Sequence, residues 1–214
     1  MPLRERQPSP KSVTLIGKIN RFSLSQSKWS DQKNVPRGSS YDARWEQLAS
    51  SGENVHGEAD FISQLNPSSV LDAGCGTGRV AIELVRRGID SVGVDLDPEM
   101  LQAARRKAPT LEWVEADLQK FTLERRFDVA VLAGNVMIFV LPGSEERVVE
   151  QITQHLCKGG LFVSGFTLDT DGIDLDDYDE TMQRLGLLSA GRWSTWQRDP
   201  FTGGKYAVSA HRKI

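Results

Sequence analysis

A chain of 214 residues, 39% apolar and 26% charged, is long enough to bury one full core and short for two, and its composition is globular. No apolar run approaches the ~18 residues of a bilayer-spanning helix, and the basic N-terminus lacks the apolar stretch of a secretory signal, so a cytoplasmic location is the expectation. The net charge of −3 is uneven: residues 1–38 hold eight Lys/Arg against two acids, a balance of +6, which leaves −9 on the remainder.

That split predicts a basic, disordered arm over residues 1–38, rich in Ser, Pro and Gln, followed by one domain over 39–214. A basic arm is compatible with attraction to nucleic acid or a membrane surface. The arm has few aromatic residues and no amphipathic pattern, however, and an acidic body argues against a large nucleic-acid footprint. Two cysteines, Cys75 and Cys157, make no disulfide framework. His56, His155 and His211 are scattered, without metal-ligand spacing, so no metal is expected.

Within the arm, Val13–Ile19 has the composition of a short strand. Tyr41, Trp45, Leu48 and Ala49 then recur at helical spacing, and Ala59, Phe61, Ile62 and Leu65 mark a second helix over Gly57–Gln64. From there strands and helices alternate. Ser69–Asp72 reads as a buried strand, and Arg79–Arg87 as a helix stopped by Gly88. Ser91–Asp95 is the next strand, and Pro98 opens a helix that ends near Ala108, before Pro109. Leu111–Glu115 and Phe127–Leu132 follow as strands. Ser144 stands as the N-cap of a helix with Glu145 and Glu146 in its first turn and a buried stripe of Val148, Val149, Ile152 and Leu156. Gly159-Gly160 is expected to end that helix before a strand over Leu161–Phe166. A helix over Tyr178–Leu185 and strands over Leu187–Trp196 and Lys205–Arg212, joined through Pro200–Gly204, complete the chain. The expected fold is α/β: a doubly wound, mainly parallel seven-stranded sheet with a C-terminal antiparallel hairpin.

The densest signal is Val70-Leu71-Asp72-Ala73-Gly74-Cys75-Gly76-Thr77-Gly78-Arg79. Glycines between a strand and a helix let the backbone turn sharply and approach a ligand closely, at the end of the sheet where open α/β folds bind ligands. The spacing is G-x-G-x-G, with Arg79 where a dinucleotide fingerprint has its last glycine. The strand also delivers a carboxylate, Asp72, beside the loop, which repels phosphate and suits a cationic ligand. Asp95 ends the next strand, seventeen residues after Gly78, where a carboxylate can accept from both ribose hydroxyls. Taken singly, each acid is equally a cap or turn residue.

Together these residues resemble motif I of the class I S-adenosylmethionine-dependent methyltransferases, and later segments resemble the family's other motifs in order. Val92-Gly93-Val94-Asp95-Leu96-Asp97-Pro98 with Met100-Leu101 is similar to the second, in which Asp95 would bind the ribose. Glu115-Ala116-Asp117-Leu118 is similar to the third, where Asp117 would accept from the adenine amino group and Leu118 present its backbone amide. The fourth strand would end in Ala133-Gly134-Asn135 under the cofactor, and Leu156-Cys157-Lys158-Gly159-Gly160-Leu161-Phe162 looks like the family's entry into strand five. The resemblance spans roughly residues 41–212. It implies S-adenosylmethionine as cofactor, held by Asp72, Ala73, Gly74, Cys75, Gly76, Gly78, Asp95, Leu96, Met100, Asp117, Leu118, Ala133, Gly134 and Asn135.

Methyl transfer from a sulfonium is an in-line displacement that placement alone can accelerate, so a general base is optional and no catalytic residue stands out. Ala133-Gly134-Asn135-Val136-Met137 differs from the Asn/Asp-Pro-Pro-aromatic turn of enzymes acting on exocyclic base amines and resembles small-molecule enzymes. Asn135 either orients a ligand or satisfies loop amides. Tyr41 and Trp45, one helical turn apart, either lid the methionine end as in similar enzymes, with their rings facing the sulfonium, or pack their helix on the sheet. His56 is a candidate base or a cap residue. The seven acids of Asp169–Glu180 either draw a cationic amine or form a solvated loop, and Asp169-Thr170-Asp171-Gly172 lacks the full calcium-loop spacing. Trp193 and Trp196 either pack the sheet edge or floor a pocket. The expected activity is methylation of a small molecule; the alternatives are an RNA or protein methyltransferase using the arm, and a non-catalytic cofactor-binding protein.

Overall fold

Ser69–Ala73 (β1), Asp90–Asp95 (β2) and Phe127–Leu132 (β4) are near-continuous apolar runs buried on both faces, which is what parallel strands need when helices cover each side. The computed structural model describes residues 27–32, 35–168 and 173–214. The strand expected over Val13–Ile19 and the fragment Asp169-Thr170-Asp171-Gly172 lie outside them. With Glu112–Glu115 (β3), Leu156–Thr167 (β5), Leu187–Trp193 (β6) and Tyr206–Lys213 (β7), the seven strands run in the order β3-β2-β1-β4-β5-β7-β6. Strands β1 to β5 pair in parallel, and β7 is antiparallel to both β5 and β6. The doubly wound sheet is as expected, and the C-terminal antiparallel hairpin closes one edge of it, with β7 against β5 and β6 outermost.

One face carries Gly57–Ser63 (α3) and Arg79–Arg86 (α4), whose Phe61, Ile62, Val80 and Leu84 meet Val70, Val129, Val131 and Val163. The other carries Val136–Phe139 (α6), Glu145–Gln154 (α7) and Leu175–Arg184 (α8), packed through Met137, Val149, Ile152 and Met182 onto Leu71, Leu132, Phe162 and Phe166. Pro98–Lys107 (α5) buries Leu101 and Ala104 with Trp113 and Cys75. Lys28–Asp31 (α1) and Ser39–Ser50 (α2) precede this frame.

Four local readings differ. Helix α7 stops at Gln154, and β5 runs through Gly159-Gly160: its register against β4 jumps from Phe127↔Leu156 to Val129↔Leu161, so the glycines accommodate a bulge. Leu156 is therefore a strand residue. Ser144 takes the N-cap position of α7 as expected, but its hydroxyl donates backward to the Leu141 carbonyl and caps no amide. A helix, α1, lies within the segment expected to be a disordered arm. No residue of α2 is buried, so Tyr41 and Trp45 do not pack it into the core.

Under α8 lies a partly buried polar junction. Tyr178 and Ser164 share a hydrogen bond of 2.7 Å between their hydroxyls, and His211 Nε2 donates to Asp179 at 3.1 Å. Arg192 joins Asp179 at 2.5 Å and donates to the Ser209 hydroxyl at 2.9 Å.

Candidate functional site

Strand β1 has β2 on one side and β4 on the other, so the chain departs in opposite directions from its carboxyl end and leaves a crevice there. The pocket in this crevice has about 1010 Å³ between its walls, mouth included.

Asp72 is 1% exposed, and its Oδ2 accepts from the Ala81 amide at 3.1 Å. A carboxylate thus already occupies the positive N-terminus of α4, the place where a pyrophosphate would dock. Burial is the largest influence on this carboxyl and pushes its pKa up to about 7. Asp95 accepts from Gly76 N at 2.7 Å through Oδ2 and from Asp97 N at 2.8 Å through Oδ1. Each of its oxygens keeps a lone pair for a ligand. Burial raises its pKa to about 6 against these backbone donors. Asp117, just after β3, accepts from Gln119 N at 2.9 Å.

The glycine loop is shaped by a residue far along the chain. Gly78 has φ +80°, and a Cβ there would run into the indole ring of Trp113; a Cβ at Gly93, on β2, would meet the same ring. Trp113 is buried on β3 and held by its Nε1–H to the Ala108 carbonyl at 2.9 Å. The loop is tied to α2 as well, by Thr77 Oγ1, which donates to Asp42 of that helix at 2.5 Å.

Of the residues expected at the site, Asp72, Gly74, Cys75, Gly76, Asp95, Leu96, Met100, Asp117, Leu118, Ala133, Gly134 and Tyr41 line this pocket. Ala73, Gly78, Asn135 and Trp45 do not. Ala73 is fully buried at the end of β1, and Gly78 faces Trp113. Asn135 sits at φ +67° with its Oδ1 accepting from Thr167 N at 2.9 Å and Thr167 Oγ1 at 3.0 Å, which is the loop-satisfying role. Trp45 stacks on the Arg79 guanidinium, 3.9 Å from ring centroid. His56 takes the N-cap position of α3 without a side-chain cap bond. Trp193 and Trp196 both pack edge-on against Phe61, in the sheet-edge role.

Other lining residues went unread. Arg79 follows Gly78 directly and was readable as a wall; Glu58 binds it bidentately, at 2.8 and 2.5 Å. Val136 and Phe139 belong to α6, a helix of four residues. Ser27 and Trp29 come from the presumed arm, and no local sequence signal points to them. Among the described residues, no group of three His, Cys, Asp or Glu side chains could hold a metal.

A methyltransferase-domain family model matches residues 70–160. A TehB-like S-adenosylmethionine-dependent methyltransferase from Corynebacterium glutamicum is 34% identical, with a TM-score of 0.76 over 81% of this chain and 96% of that one. The chain belongs to the class I S-adenosylmethionine-dependent methyltransferase family. Trans-aconitate 2-methyltransferase from Azoarcus sp. (strain BH72) is 28% identical over 147 residues, 66% of this chain and 54% of that protein. A dTDP-3-amino-3,4,6-trideoxy-alpha-D-glucopyranose N,N-dimethyltransferase from Streptomyces venezuelae is 32% identical over 109 residues, 49% of this chain and 46% of that protein. The chain spans about half the length of these two curated relatives.

Proposed function

We propose that this chain binds S-adenosylmethionine in the crevice and transfers its methyl group to a small-molecule acceptor in the cytoplasm. The observation that carries the reading is charge. Asp72, Asp95 and Asp117 face a pocket whose single lining cation, among the described residues, is Arg79, already neutralised by Glu58. Such a site suits a positively charged nucleoside, and Asp72 at the α4 terminus disfavours a pyrophosphate. A small acceptor is supported by the substrates named for the sugar and aconitate relatives and by the Ala133-Gly134-Asn135 turn. Cys75 and Cys157 are both free, in keeping with a reducing compartment, and no helix among the described residues is long and apolar enough to cross a membrane.

When bound, the cofactor supplies an electrophilic methyl on a cationic sulfur. The protein's part is placement. Asp95 holds the ribose through its spare lone pairs, Asp117 fixes the nucleoside at the β3 end, and Tyr41 and Gly134 bound the space an acceptor would occupy. An amine acceptor requires no base from these walls, only alignment.

Calorimetric titration with S-adenosylmethionine and S-adenosylhomocysteine tests the reading. Both are expected to bind, and Asp95→Ala to weaken binding by about 1–3 kcal/mol by leaving the ribose hydroxyls unpaired. No binding to wild type, or unchanged affinity in the variant, would remove the basis for the site. Transfer of a radiolabelled methyl group to amine, hydroxyl and carboxylate acceptors then separates an enzyme from a binding protein.

A further inference from the structure

We infer that Trp29 is a cofactor-binding residue that roofs the nucleoside half of the pocket, with Asp97 and Arg37 holding it in place. The inference deepens the function proposed above and rests on it.

Asp97 is the anchor. Its side chain is 3% exposed, and its Oδ1 caps α5 by accepting from Glu99 N at 2.9 Å and Met100 N at 3.3 Å. Its Oδ2 faces the other way and accepts from Trp29 Nε1 at 2.8 Å and from Arg37 Nη1 at 2.7 Å. Arg37 then closes on the same residue. Its Nη2 donates to the Trp29 carbonyl at 2.9 Å, and its guanidinium lies 5.2 Å from the Trp29 ring centroid. Trp29 is thus held by its indole N–H, its backbone and its ring. A solvated tail has no need of a buried carboxylate and an arginine to fix one aromatic side chain.

The ring's surroundings place it. Trp29 meets Phe139 of α6 edge-on, centroids 5.5 Å apart, while its N–H reaches the turn after β2. It therefore touches elements that follow β2 and β4, on either side of the crevice, and it lines the space between them. The backbone N–H of Asp97 donates to Asp95 at 2.8 Å, so the roof's anchor and the ribose acid belong to one turn. The roof accordingly lies over the nucleoside rather than over the methionine end near Tyr41 and Gly134. An aromatic ring there adds stacking area to adenine and shields the Asp95 hydrogen bonds from water. Cofactor exchange requires this ring to lift, so Trp29 governs release more than capture.

The test compares wild type with Trp29→Ala, Trp29→Phe and Arg37→Met. Adenosine and S-adenosylhomocysteine affinities are measured by calorimetry, S-adenosylhomocysteine release by stopped-flow fluorescence, and folding by melting temperature. In Trp29→Ala, both ligands should weaken by the same factor, about tenfold, mostly through faster release. Trp29→Phe and Arg37→Met, which keep a ring over the site but loosen its hold, should fall between. Loss of S-adenosylhomocysteine affinity without loss of adenosine affinity would overturn the placement. Unchanged release in folded Trp29→Ala and Arg37→Met, with wild type binding normally, would overturn the roof alone. A wild type that binds neither ligand would take the proposed function down with it.

Discussion

Two carboxyl groups at the ends of neighbouring strands, Asp72 and Asp95, keep their protons at a pH where exposed aspartates have lost them, with pKa values near 7 and 6. Because both are raised, the folded chain retains protons that the unfolded chain releases, and the free protein loses stability as pH climbs from about 4 through these values. A cationic ligand reverses the preference, since it favours the ionised carboxylates. S-adenosylmethionine affinity should therefore increase from pH 5.5 to pH 8, by about tenfold for one pKa unit of displacement. Binding at pH 6.5 should release protons, seen as a dependence of the calorimetric heat on buffer ionisation enthalpy. Flat affinity across that range, with no proton release, would mean that neither carboxyl meets the ligand's charge.

At the scale of elements, the antiparallel end of the sheet is joined to the parallel part by the polar junction under α8. Burial pushes the Tyr178 hydroxyl well above the ordinary tyrosine range, so it stays neutral and shares its hydrogen bond with Ser164, itself fully buried. Tyr178→Phe leaves that serine without a partner and should cost about 1–3 kcal/mol. In urea the midpoint should fall with the slope unchanged, while cofactor affinity stays at the wild-type value, because the junction lies outside the pocket. A normal midpoint would show that Ser164 finds another partner. His211, in the same junction, is lowered from 6.5 by burial, ahead of the opposing pull of Asp179. Its neutral form belongs to the folded state, so this contribution is lost as pH falls below 6.5.

Over the whole molecule, what could be read in advance was what the chain encodes locally. The glycine loop and the strand-ending acids sit within a few residues of the turns that present them, so the order of Asp72, Asp95 and Asp117 along the chain was legible, though no one of them was telling by itself. Trp29 and Arg37 were not legible, because their partner Asp97 lies 68 and 60 residues away and nothing beside them announces it. Helix α6, with four residues, is too short to show a period. Gly159-Gly160 looked like a helix stop because a bulge and a C-cap call for the same residue, and only the pairing of β5 with β4 separates them. The place of β7 between β5 and β6 likewise depends on long-range pairing that composition does not record.

One of those long-range dependencies governs how the protein should respond to heat. Trp113, which fixes the shape of the glycine loop, stands on a strand of four residues that, among the described residues, pairs with β2 alone. Short outer strands open at lower free energy than central ones. Amides of residues 112–115 should therefore exchange with deuterium well before those of 129–132, and cofactor affinity should decline at temperatures where the helices still give their full circular dichroism. Thermal inactivation and thermal unfolding would then be two separate events in this chain, the first beginning with the loosening of a single indole.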